Sequence, residues 1–97
     1  MSQAPAAPDV TIDEETVRRF LPPYRVVLHD DDHNTMDHVV YALLASVPSL
    51  DEEAAASIML TAHLHGQAIV IECPKETAEH YREKLESFGL TATIEPA

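Results

Sequence analysis

A chain of 97 residues, 45% of them hydrophobic, holds enough apolar material for one core of limited depth, which favours a surface cavity over an enclosed catalytic chamber. Its formal net charge of -11 repels phosphate backbones and anionic headgroups, so neither nucleic acid nor a membrane is expected as a partner. Cys73 is the only cysteine, which excludes an intrachain disulfide and a cysteine-built zinc cluster and suits a reducing, cytoplasmic location.

The first segment, residues 1–23, carries four of the seven prolines and the acidic group Asp13, Glu14 and Glu15, and reads as a flexible N-terminal extension. Met1 to Pro8 has neither a basic start nor an apolar centre, unlike a targeting segment. Thr11 and Glu14 have capping-box spacing, which leaves a helical turn before Phe20 open. A single domain, 24–97, is expected to follow.

Tyr24 to His29 is β-branched and apolar and runs into Asp30, Asp31 and Asp32, which predicts a strand and then a turn. From Asn34, with Asp37 three positions on, Met36, Val39, Val40, Leu43, Leu44 and Val47 recur at helical spacing until Pro48. Ser49 to Asp51 caps a second helix in which Ala55, Ile58, Met59, Ala62 and His63 share a face, and Gly66 stands where a helix terminates. Gln67 to Cys73 predicts a second strand. Pro74 suits the first turn of a third helix, Lys75 to Phe88, which Gly89 closes before a last strand from Leu90 to Ile94. The fold class expected is therefore α+β, a β-α-α-β-α-β sandwich with a three-stranded antiparallel sheet covered on one face by three helices.

The stretch from His29 to Met36 is where chemistry is expected, because three consecutive carboxylates separate a buried-type strand from a helix N-terminus. A plain reading is a solvated turn that complements the helix dipole. A calcium loop is excluded by the missing central glycine and closing glutamate. His29, His33 and His38 flank the acids, with His63 and His65 on the second helix, which keeps a His/Asp metal-binding protein open as an alternative. Nothing in the chain has the pattern of an activated nucleophile, a phosphate cradle or a cofactor loop, so no enzyme activity and no cofactor are expected.

The blocks Tyr24 to Asp32 with Met36 and Val39, then Ile58 to His63 with Gly66, then Thr93 to Ala97, occur in an order and spacing that resemble the ClpS adaptor family. That resemblance implies an adaptor that binds N-degrons, meaning a free α-amino group followed by a bulky Leu, Phe, Tyr or Trp side chain, and delivers the protein to a Clp-type AAA+ unfoldase and protease. By the same resemblance Asp30, Asp32 and His63 match the amine-binding positions, with Asp31 a neighbouring acid, and a compact cation with three donors suits acceptors that converge from different directions. The matching hydrophobic pocket is Leu28, Asn34, Met36, Val39, Met59, Ala62 and Leu90, although each of the apolar ones taken alone reads equally as core. Glu76 matches an acidic position that implies docking to the N-terminal domain of the unfoldase, and Tyr81 stands near a place where the family often carries a basic partner contact. Asp30 stands where the family usually has Asn, Asn34 where Thr is common and Ala62 where Val is common, so the pocket is expected to be more acidic and roomier. A general protein-interaction module without N-degron specificity is the remaining alternative.

Overall fold

The structure, a computed structural model, describes residues 13–97. Asp13 begins it by accepting a hydrogen bond from the Thr16 N–H at 2.7 Å, and this cap, with Glu14 and Glu15 in the first turn, supports helix α1 over Glu14–Phe20. The fold thus has four helices among the described residues, one more than the sequence reading expected, and the extra one lies inside the segment read as an extension. Thr11, the other half of the suspected capping box, lies outside the described residues. A helix of two turns gains little by itself, and Phe20 remains largely exposed at its end.

The remaining elements follow the expected order: β1 (Pro23–His29), α2 (Met36–Ser46), α3 (Glu52–His65), β2 (Gln67–Pro74), α4 (Lys75–Ser87) and β3 (Thr91–Pro96). The strands form an antiparallel sheet in the order β2-β1-β3. β1 is therefore central, which explains why Val26, Val27 and Leu28 are all buried. Val26 and Leu28 point to the helices. Val27 points to the opposite face, in register with Ile69 and Thr93, where the Arg25–Glu72 ion pair at 3.2 Å and the His29–Thr93 hydrogen bond at 2.7 Å flank it. In β2 the register slips between the partners of Val26 and Val27, leaving Val70 as an extra residue, a β-bulge.

α3 and α4 lie on the sheet and α2 packs against both helices. The core between these layers contains Leu43, Val47 and Leu85 together with Ala42, Ala55, Ala62 and Ala78, and the alanines let the helices approach closely. Removing the side chain of Leu43 or Leu85 should cost about 2 to 5 kcal/mol.

Helix ends set the geometry around the site. α2 starts one residue later than its sequence suggests, because Thr35 is the N-cap and accepts from the His38 N–H at 3.1 Å. α3 is capped by Asp51, which accepts from the Ala54 N–H at 2.7 Å, and ends at Gly66 with φ 90° and ψ -23°. Pro74 closes β2 and forms the N-cap of α4 in place of its expected first-turn position. At the far end of α4 the Gly89 N–H donates to the Glu86 carbonyl and the Leu90 N–H to the Leu85 carbonyl, at 2.9 and 3.2 Å. This is the bond pattern of a Schellman motif, with Gly89 at φ 85°. Leu90 consequently belongs to the helix closure, and β3 begins after it.

Candidate ligand-binding site

β1 ends because three aspartates follow His29, and the connection 30–35 must turn before Thr35 can cap α2. Its entry is fixed by the Asp30 N–H donating to the Gly66 carbonyl at 2.9 Å, a main-chain bond between the end of β1 and the end of α3. Its centre is organised by Asp31, whose Oδ1 accepts from the His33 and Asn34 N–H groups and whose Oδ2 accepts from Asn34 Nδ2, each at 2.9 Å. Desolvation raises the Asp31 carboxyl, but the side-chain and backbone hydrogen bonds from Asn34, the His33 N–H and the attraction of His33 together hold it below the ordinary aspartate value. Asn34 Nδ2 also donates to the Gly89 carbonyl at 3.0 Å.

Beside this turn lies a cavity of about 320 Å³. Leu28, Met36, Val39, Met59 and Ala62 supply its apolar wall, and Asp30, Asp31, Asp32, Asn34 and His63 its polar side. Ten of the positions singled out in the sequence therefore converge on one corner, from β1, the acidic turn, α2 and α3. Leu90 does not line it and sits in the core at 4% exposure, a consequence of its role in closing α4. His29 and Thr35 line the cavity too, and the sequence reading assigned neither to a pocket. Thr35 stands directly before the apolar period of α2, where Asn34 has the look of the cap, and His29 draws notice only as a flank of the acids.

The acids differ in what they already do. Asp31 is engaged by the turn. Asp30 and Asp32 accept no hydrogen bond from a side chain among the described residues, and His63 Nδ1 stands 3.8 Å from Asp30 Oδ1, an electrostatic approach longer than a hydrogen bond. The corner consequently presents two carboxylates that no side-chain hydrogen bond occupies, next to apolar surface. His38 turns away from it, its Nε2 bonded to the Phe88 carbonyl at 2.7 Å. Among the described residues no group of three or more His, Cys, Asp or Glu side chains is arranged to hold a metal ion, so the flanking histidines do not assemble the alternative site that their spacing left open. Glu76 and Tyr81 lie on α4, outside the cavity, the first exposed and the second partly buried against the core.

A small α+β domain with one acceptor-rich, half-apolar corner defines a binding domain, and the comparisons with known proteins make it an adaptor. The family model described as ATP-dependent Clp protease adaptor protein ClpS matches residues 21–93, and the chain belongs to the ClpS family. It is similar to the ATP-dependent Clp protease adapter protein ClpS of Synechococcus elongatus, 49% identical over 81 residues that cover 84% of this chain and 85% of the relative. The adapter protein ClpS of Gloeobacter violaceus is 42% identical over 87 residues, covering 89% of this chain and 94% of the relative. Among solved structures, Agrobacterium tumefaciens ClpS2 bound to L-phenylalaninamide superposes with a TM-score of 0.74 at 29% identity, over 78% of this chain and 98% of that one. Among the described residues no helix is long and apolar enough to cross a membrane.

Proposed function

We propose that this adaptor captures the first residue of a protein whose α-amino group is free and whose first side chain is bulky and hydrophobic, and hands that protein to a cytoplasmic Clp-type AAA+ unfoldase. The observation that carries this reading is the pairing, in one cavity, of the Asp30 and Asp32 carboxylates, neither taken by a side-chain hydrogen bond among the described residues, with the apolar wall of Leu28, Val39, Met59 and Ala62. An α-ammonium brings three donors, and Asp30, Asp32 and the His63 ring accept them; a Leu, Phe, Tyr or Trp side chain fills the apolar part. Burying that side chain is worth about 1.5 to 3 kcal/mol, and each hydrogen bond to the charged amine adds about 1.5 to 3 kcal/mol before ordering costs. The phenylalaninamide held by the Agrobacterium tumefaciens protein has this chemistry, a free amine beside a hydrophobic side chain.

Residues 24–97 form the adaptor core in this reading and 1–23 the extension. Glu76 and Tyr81 on α4 face the N-terminal domain of the unfoldase. Neither role needs a cofactor or a covalent step.

Fluorescence anisotropy of dye-labelled peptides tests the reading. Peptides beginning with Leu, Phe or Trp should bind, N-acetyl-Leu and Ala peptides should not, and Asp32→Ala should weaken binding about 10- to 100-fold, the worth of one bond to a charged group. Equal binding of acetylated and free peptides would instead mark a general protein-interaction module.

A further inference from the structure

The acidic turn is fastened to the end of α4 by two side chains that reach across the fold. The Schellman closure of α4 uses the Leu85 and Glu86 carbonyls and leaves those of Phe88 and Gly89 without a partner from their own helix. Both are taken by side chains from the acidic turn and from α2: Asn34 Nδ2 donates to the Gly89 carbonyl at 3.0 Å, and His38 Nε2 donates to the Phe88 carbonyl at 2.7 Å. A carbonyl carries no hydrogen, so the proton of this second bond sits on Nε2 of His38. The imidazole also stands edge-on to the Phe88 ring, with centroids 6.4 Å apart. Asn34 uses its amide group twice, since the same Nδ2 donates to Asp31 Oδ2 at 2.9 Å. Asp31, Asn34 and the Gly89 carbonyl thus form one chain of hydrogen bonds that runs from the middle of the three acids to the α4–β3 turn.

Resting on the reading of the cavity as an amine site, we infer that His38 is a positioning residue for it. His38 touches no part of the cavity. Its ring sets where the first turn of α2 sits against the end of α4. Thr35, the cap of that turn, joins it through the bond from the His38 N–H at 3.1 Å. The acidic turn is therefore stretched between two fixed points, the Gly66 carbonyl at its entry and the Phe88–Gly89 carbonyls at its exit. Asp30 and Asp32 lie between them, and a ligand amine that requires acceptors in a set arrangement depends on both anchors.

The test compares His38→Phe, which keeps a ring against Phe88 and loses the donor, with His38→Gln, whose amide can still donate to the carbonyl. The full chain is titrated against a dye-labelled peptide with a free N-terminal Phe, and amide exchange is followed at His33 and Asn34. His38→Phe should bind about five-fold more weakly, the effect of one lost hydrogen bond, and His38→Gln should stay within about two-fold of the wild type. Exchange at His33 and Asn34 should quicken in the Phe variant alone, a signature that a loss of overall stability would spread across the whole domain. If His38→Phe does not fold, His38→Met takes its place, as an unbranched helix former without a donor. Unchanged binding in the donor-less variant, or equal weakening in His38→Gln, overturns the inference and leaves the amine site standing. A wild type that does not distinguish free from acetylated peptide overturns both.

Discussion

Gly66 joins backbone conformation to the site, and its replacement by alanine has a calculable cost. At φ 90° and ψ -23° the residue lies in the left-handed region, and a Cβ built there meets nothing within 4 Å. Packing therefore contributes nothing, and the whole effect is conformational. Forcing an L-residue into this region costs about 1 to 2 kcal/mol, while the stiffer unfolded chain of the alanine variant returns about 0.4 to 1 kcal/mol. The net loss is about 1 kcal/mol, which in a domain of this size lowers the melting temperature by about 4 to 8 °C. Gly66→Asn should lose less, because asparagine tolerates the left-handed region better. Thermal unfolding followed by circular dichroism, on the three proteins at one pH, measures this. An alanine variant that melts with the wild type, or an asparagine variant that melts below the alanine one, would refute the reasoning. The Gly66 carbonyl also receives the Asp30 N–H, so any shift in the peptide plane of the alanine variant should reduce peptide affinity as well.

Asp31 is held below its ordinary value of 3.8 despite the opposing effect of desolvation, because the turn's hydrogen bonds favour the charged form. Its contribution to stability is complete above that ordinary value and disappears as pH falls through the lower folded value, so Asp31→Asn should melt below the wild type at neutral pH and converge with it as pH falls below the ordinary value. Ala62 lines the cavity at 3% exposure; Ala62→Val should shrink it and weaken binding of Phe and Trp peptides about ten-fold while Leu peptides lose less, and an equal loss for all three would argue against a volume effect. Burial pushes the Cys73 thiol up from 9.0, so iodoacetamide at mildly alkaline pH should alkylate it more slowly than an unfolded peptide thiol, with urea removing the difference.

Much of this architecture could be read from local pattern. β1 was legible because its β-branched run ends abruptly at three aspartates, and α3 because an Asp cap and a terminal Gly bracket one helical period; the structure uses Asp51 and Gly66 in those roles. The convergence of Asp30, Asp32, His63, Met59 and Ala62 on one cavity was legible through likeness to a known family, since each alone is an ordinary surface acid or core residue. α1 is obscured by the prolines around it, and its cap, Asp13, belongs to an acidic group that reads as part of a flexible extension. The start of α2 was misplaced because Asn34 has the look of a cap while its side chain serves Asp31 and the Gly89 carbonyl. Leu90 was drawn to the pocket by its position in the family pattern, whereas its N–H and its burial bind it to the end of α4. The bond from His38 to Phe88 spans fifty residues, and no local rule announces such a partner.

The acidic turn enters through a bond made by backbone atoms alone, the Asp30 N–H to the Gly66 carbonyl. Any residue but proline can make it. Position 30 can therefore exchange one side chain for another over generations without moving the main chain that presents it, and a change between amide and carboxylate there rewrites the charge met by a ligand while its place is inherited intact. Descent can retune this corner one letter at a time.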